Sequence, residues 1–119
     1  MSALHWTPAY DGSTLGQMGE AGAVIARDEV LQDAEGTERA RLTLEEDASR
    51  GLYALTYAAT GWLLYTRYVE DAAALRAAAE ETRGALEALL AQLPPQGPTD
   101  ATARREAGPL LARFLARFS

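Results

Sequence analysis

Residues 52–69, LYALTYAATGWLLYTRYV, constrain the fold of this chain more than any other stretch. Two apolar runs, rich in aromatic and β-branched residues, meet at Thr60-Gly61, and this pattern predicts a β-hairpin. A sheet with one solvated face alternates apolar and polar residues, whereas this hairpin is apolar on both faces. We therefore expect both of its faces to be covered.

A two-residue turn at Thr60-Gly61 fixes the expected pairing of the two strands, because side chains alternate between the faces of a sheet. It places Tyr57 beside Leu64. The side chains expected on that larger, more aromatic face are Tyr53, Leu55, Tyr57, Ala59, Trp62, Leu64, Thr66 and Tyr68. The side chains expected on the other face are Leu52, Ala54, Thr56, Ala58, Leu63, Tyr65, Arg67 and Val69.

Two further segments predict the rest of a four-stranded antiparallel meander. Residues 39–46, RARLTLEE, alternate apolar and polar side chains, as a half-buried strand does. Residues 23–32 suit a strand, although a short helix is compatible with the same letters. The segment before them, residues 1–22, is rich in Gly, Ser and Thr and predicts a mostly irregular arm. The last two strands are residues 52–59 and 62–69.

Two amphipathic helices are expected after the sheet. Leucine and alanine recur every three or four residues over 71–93, which predicts a long helix packed on one sheet face, the aromatic one. Residues 99–119 carry a second stripe, and Gly108-Pro109 is expected to interrupt it, so that a short helix starts at Pro109. Docking of this tail is favoured over membrane-surface binding. The sequence thus predicts one α+β domain over residues 1–119.

Charge and composition exclude several classes of function. The net charge of −6 argues against nucleic-acid binding, which relies on clustered basic residues. The absence of cysteine excludes disulfides and thiolate chemistry, and a cytoplasmic location fits it most simply. No window approaches the 18 apolar residues of a membrane span, so no membrane partner is expected.

The hairpin carries the concentrated set of candidate site residues. An aromatic floor with one arginine suits a planar or anionic ligand, whereas the same residues also serve cross-strand packing or an interface. The second interpretation is favoured. The candidate ligand or interface residues are Tyr53, Tyr57, Trp62, Leu63, Tyr65, Arg67 and Tyr68.

The acidic clusters do not predict catalysis or metal binding. Asp28-Glu29 and Glu45-Glu46-Asp47 lack the spacing of a calcium loop and have no histidine beside them. They are interpreted as solvated charge. No catalytic residue, cofactor or metal is therefore expected, and the favoured function is a non-catalytic protein-interaction or binding module. The alternative is a small-ligand-binding protein or enzyme that uses the aromatic residues and arginine of the sheet.

Self-association is predicted because the sheet has two apolar faces and the chain has one long helix to pack on them. One long helix covers one face of the sheet, and the other face would keep an apolar patch that includes Leu63 and Tyr65. Exposed patches of this kind commonly mark association sites. A homodimer is expected, since twofold dimers are the commonest oligomers.

The segments ARLTLEED, YALTYAATGWLLYTRYVED, ALEALLAQL and RFLARF together resemble a family of small uncharacterised bacterial proteins. The resemblance covers about residues 39–93. Its most specific part is Gly61-Trp62 followed by Thr66-Arg67, and the relatives have a histidine just before that threonine where this chain has a tyrosine. The resemblance implies the α+β architecture and a bacterial source, and it implies no activity and no functional residues.

Overall fold

A computed structural model describes residues 4–94 and 97–119 and confirms the α+β class. Strand pairs are antiparallel throughout, and the strand order in the sheet is the order along the chain. The elements are β1 His5–Pro8, β2 Val24–Gln32, β3 Glu38–Asp47, β4 Leu52–Ala59, β5 Leu63–Val69, α1 Ala72–Ala91 and α2 Ala101–Phe118.

The sheet has five strands, so the expectation of four is wrong. The additional strand, β1, lies in the arm expected to be irregular, whose first three residues are outside the described part. Its register pairs Trp6 with Leu31. The Trp6 indole also donates to Glu87 of α1 over 3.0 Å and stacks against Arg83. This strand forms because its tryptophan gains partners in both β2 and α1.

Both helices lie on one face of the sheet, here called the helix face. The central core residues on this face, Leu42, Leu55 and Tyr57, are fully buried. The Tyr57 ring meets Phe114 of α2 edge-on, with 5.6 Å between ring centroids. The terminal helix therefore adds to the layer that α1 forms. Within the described residues the opposite face, here called the open face, has no α-helix, and the chain between β1 and β2, with its 3₁₀ helix Ala9–Gly12, lies over part of it.

The second helix is continuous, so the expected interruption at Gly108-Pro109 is wrong. Asp100 caps its first turn by accepting from the Ala103 amide over 2.8 Å. Pro109 lies inside the helix, where it removes one backbone donor. Burial of Phe114 and Phe118 against the core offsets that loss. The result is an 18-residue helix in place of a short one.

The β4–β5 register differs by one residue from the expected pairing. Tyr57 lies opposite Tyr65, not Leu64, and Ala59 lies opposite Leu63. Three residues, 60–62, connect the strands, with Gly61 at a φ of 82°. Because side chains alternate, this shift moves every β5 side chain to the other face relative to β4. The predicted composition of both faces is therefore wrong for β5.

Candidate functional site

The corrected register separates the residues expected to form one aromatic site. The side chains of Tyr53 and Tyr57 share the helix face with Leu63, Tyr65 and Arg67. Trp62 lies in the turn and packs against the core. By contrast, Tyr68 extends from the open face and is 60% exposed. The candidate set is thus divided between the two faces, and neither of the two cavities described below is lined by Arg67 or a tyrosine.

A buried ion pair on the open face joins β2 to β3. Asp28 is only 2% exposed and lies opposite Thr43 in the register. The Arg41 guanidinium donates from Nε to Asp28 Oδ1 over 2.9 Å and from Nη2 to Oδ2 over 2.6 Å. The Thr43 and Thr14 hydroxyls each donate to the same carboxylate over 2.9 Å. Four donors therefore satisfy a carboxylate that lies out of water.

These donors decide the ionisation of Asp28. Burial acts to raise the pKa of this carboxyl, but the hydrogen bonds from Arg41, Thr14 and Thr43 outweigh burial. The pKa of Asp28 accordingly lies below its ordinary value of 3.8. The same contact raises the pKa of Arg41. The pair is fully ionised at neutral pH, and it holds the arginine side chain in one orientation.

The chain between β1 and β2 is fastened to the open face by this pair and by a second buried carboxylate. Tyr10 adopts a left-handed backbone conformation, with φ at 49°, and its ring lies 5.4 Å from the Arg41 guanidinium carbon. Glu45 accepts from the Ala21 amide over 3.1 Å and from the Ala23 amide over 3.2 Å. The interpretation of Asp28 and Glu45 as solvated charge is therefore wrong.

A cavity of about 560 Å³ lies on the open face, between residues 18–20 and the β4–β5 hairpin. This volume is in the range of small-molecule sites. Within the described residues, Nη1 of Arg41 makes no hydrogen bond, since Nε and Nη2 serve Asp28. The cavity thus has one fixed guanidinium, while the carboxylates of Glu20, Glu38 and Glu45 share its walls with apolar side chains. Its lining includes Met18, Ile25, Arg41, Thr43, Glu45, Thr56, Ala58 and Leu64.

A smaller cavity of about 220 Å³ lies between the helices. Its walls include Ala88 and Leu89 of α1 and Phe114 of α2, with Arg113 and Arg117 at its margin.

Across residues 4–94 and 97–119, no group of three His, Asp or Glu side chains is placed to hold a metal ion. In the same residues, no helix has the length and apolar character needed to cross a membrane.

The outer edge of the sheet is a third candidate surface. Within residues 4–94 and 97–119, β5 is paired with β4 alone, so alternate backbone N–H and C=O groups along it face away from the sheet. Beside this edge, on the open face, Leu64 is 70% exposed and Tyr68 is 60% exposed. Thr66 lies between them, and its hydroxyl is 2.8 Å from that of Thr56. The edge thus combines unpaired backbone with large apolar side chains.

Sequence reasoning missed Asp28, Arg41 and Thr43 as a site. The alternation over β3 places Arg41 and Thr43 on one face, which is a usable signal. The partner carboxylate on β2 is preceded by a register irregularity between Ile25 and Arg27, and this obscures its face. Local patterns therefore give the polar face of β3 but not its partner on β2.

Comparison with known proteins returned no match: no family model, no curated protein and no solved structure is similar to this chain. The resemblance over residues 39–93 accordingly stays a prediction.

Proposed function

We propose that this protein is a non-catalytic interaction module that associates with another copy of itself at the β5 edge. The observation that carries the proposal is the exposure of Leu64 and Tyr68 beside an edge strand that has no second neighbour among the described strands. Unpaired strand edges with apolar side chains are templates for pairing with another chain. The expected location of this association is a bacterial cytoplasm.

The chemistry of the open face supports a non-catalytic role. A general base needs a carboxylate with a free lone pair near a substrate. Asp28 already accepts four hydrogen bonds, and Glu45 accepts from two backbone amides. Both buried carboxylates of this face therefore serve to hold the chain before β2.

Replacing Leu64 with lysine is expected to weaken self-association strongly. Each dimer would lose two cross-strand leucine contacts worth about 1 kcal/mol each, which weakens the association constant by roughly thirtyfold. Light scattering after size-exclusion chromatography is the measurement, and wild type should show twice the 12.8 kDa mass of one chain. The matched control is Leu15→Lys, which makes the same charge change at a half-exposed leucine away from β5.

Wild type that stays at the mass of one chain up to high micromolar concentration would contradict self-association. Equal weakening by Leu15→Lys and Leu64→Lys would instead attribute any effect to net charge and not to the β5 edge.

A second candidate function is small-ligand binding in the 560 Å³ cavity, favoured by its size and by the glutamates among its apolar walls. Here the relevant arginine is Arg41 in place of Arg67. Three glutamates line the cavity against this one arginine, whose charge Asp28 balances, so the cavity suits a small apolar cation.

Filling this cavity with Ala58→Phe is expected to abolish binding of thioflavin T, an apolar cation that fluoresces when bound. Ala58 lines the cavity, so a benzyl group there occupies the space of the probe. The control is Ala88→Phe, which fills the smaller cavity between the helices. Fluorescence lost only in Ala88→Phe would assign the probe to the helices and contradict this candidate.

A further inference from the structure

We propose that two β5 strands pair antiparallel with Thr66 of each copy on the twofold axis, so that the dimer contains one continuous ten-stranded sheet, five strands from each chain. This inference rests on the proposed function and adds its geometry. Three observations carry it: the contrast between the two edges of the sheet, the symmetry of the β5 sequence about Thr66, and the position of the helices.

The two edges of the sheet differ in their capacity to pair. β1 is four residues long and ends at Pro8, which has no backbone donor. β5 is seven residues long and contains no proline. Natural sheets protect their edges with short strands and prolines. The protection is present at β1 and absent at β5, so β5 is the edge available to a second copy.

The β5 sequence, LLYTRYV, is self-complementary when it is reversed about its centre. An axis at Thr66 is the one position that pairs all seven residues from Leu63 to Val69. It places Leu64 opposite the partner's Tyr68, and both side chains are exposed in one copy. Cross-strand pairs of an aromatic and an aliphatic residue stabilise a sheet by about 0.2–1 kcal/mol each.

The same axis gives the one charged residue of β5, Arg67, a favourable partner. It places Arg67 opposite the partner's Tyr65 on the helix face, where a guanidinium beside an aromatic ring is favourable. Moving the axis by one residue to Arg67 would put two arginines directly opposite each other, which destabilises a sheet. Charge and apolar pairing therefore favour the same register.

The helices do not oppose this arrangement. An axis perpendicular to the sheet keeps both helix layers on the same side, because directly opposed residues point to the same face. Leu64, Thr66 and Tyr68 of both copies then line a shared open face. The apolar side chains that one copy exposes at β5 become neighbours across the axis.

Single cysteines test the register directly, since the natural chain has none. Directly opposed residues have Cα atoms about 4.5–5.5 Å apart, within disulfide reach. Thr66→Cys is therefore expected to form a covalent dimer under mild oxidation on a non-reducing gel. In Leu64→Cys, measured at a concentration at which light scattering shows a dimer, the two cysteines would be four residues out of register, about 13 Å apart, and roughly tenfold less covalent dimer is expected.

Thr66→Cys also removes the hydroxyl contact between Thr56 and Thr66, so a double variant that keeps this contact is the second test. Leu64→Cys with Tyr68→Cys alters only exposed side chains and should cross-link efficiently, whereas Leu64→Cys and Tyr68→Cys alone should not. A protein with the mass of a dimer in which neither Thr66→Cys nor the double variant cross-links would overturn this register and leave the proposed function standing. A wild type with the mass of one chain would overturn both.

Discussion

Replacing Asp28 with asparagine is expected to lower the free energy of unfolding by about 3 kcal/mol. The carboxylate accepts two hydrogen bonds from Arg41 and one each from Thr14 and Thr43. An asparagine removes the charge and leaves the guanidinium without its counter-ion beneath the chain before β2. Urea unfolding followed by circular dichroism measures the change.

The control for Asp28→Asn is Glu80→Gln, which breaks an exposed contact with Arg27 of 3.4 Å. Exposed ion pairs contribute about 0–1 kcal/mol, so this variant should remain close to wild type. Equal losses in the two variants would contradict the assigned role of the buried pair.

The effect of Asp28→Asn should also depend on pH. The folded-state pKa of Asp28 lies below the ordinary value of 3.8, so the unfolded chain takes up the proton first. The stabilisation is complete above that value and is lost as the pH falls through the lower folded pKa. Asp47, whose pKa is lowered to about 2 by Ser49 and Arg50, is present in both proteins. The difference in free energy of unfolding between wild type and Asp28→Asn therefore reports the ionisation of Asp28 alone. A difference that stays constant from pH 7 to strong acid would contradict the assigned pKa shift.

Replacing Tyr57 with alanine is expected to cost about 4 kcal/mol, since a large aromatic side chain is removed from a fully buried site. The ring touches Phe114 of α2 and Tyr65 of β5, with centroids 5.6 Å and 5.9 Å away. The loss therefore loosens both the terminal helix and the edge strand. Thermal unfolding with a tryptophan fluorescence signal measures it.

Tyr57→Phe is the matched variant, and the opposite sign is expected. Among the described residues the Tyr57 hydroxyl has no hydrogen-bond partner, so its removal should raise the free energy of unfolding by about 1 kcal/mol. Burial, and then the nearby Tyr65, raise the pKa of Tyr57 to about 12. Because the unfolded chain ionises first, ionisation of Tyr57 does not change the free energy of unfolding below pH 10.0 and lowers it as the pH rises toward 12. The phenylalanine variant should thus lose less stability in alkali, and a loss equal to that of wild type would contradict burial of the hydroxyl.

The hairpin and the first helix could be predicted because their signals are local. The apolar runs of β4 and β5 and the three-to-four spacing of α1 are properties of neighbouring residues. Whether a turn has two or three residues depends on fine backbone geometry at Gly61. The third residue of the turn determines which face every β5 side chain occupies, and therefore which side chains lie at the proposed interface.

The parts that could not be predicted depend on distant partners. β1 is recognisable only through the contact of Trp6 with Glu87, which is 81 residues away in the sequence. Burial of Asp28 likewise requires Thr14 and Arg41 to converge from separate segments. Alternation along β3 identifies a polar face, but it contains no information on what lies over that face.

The strictly sequential strand order bears on how the chain acquires its structure during synthesis. Every strand pairs only with its neighbours in the sequence, so each hairpin can close soon after its second strand has been made. The helices follow the sheet in the chain, and the face containing Leu42 and Leu55 stays uncovered until α1 has been made. A nascent chain halted after Val69 would therefore present a bare apolar sheet, and this intermediate is the species most exposed to aggregation.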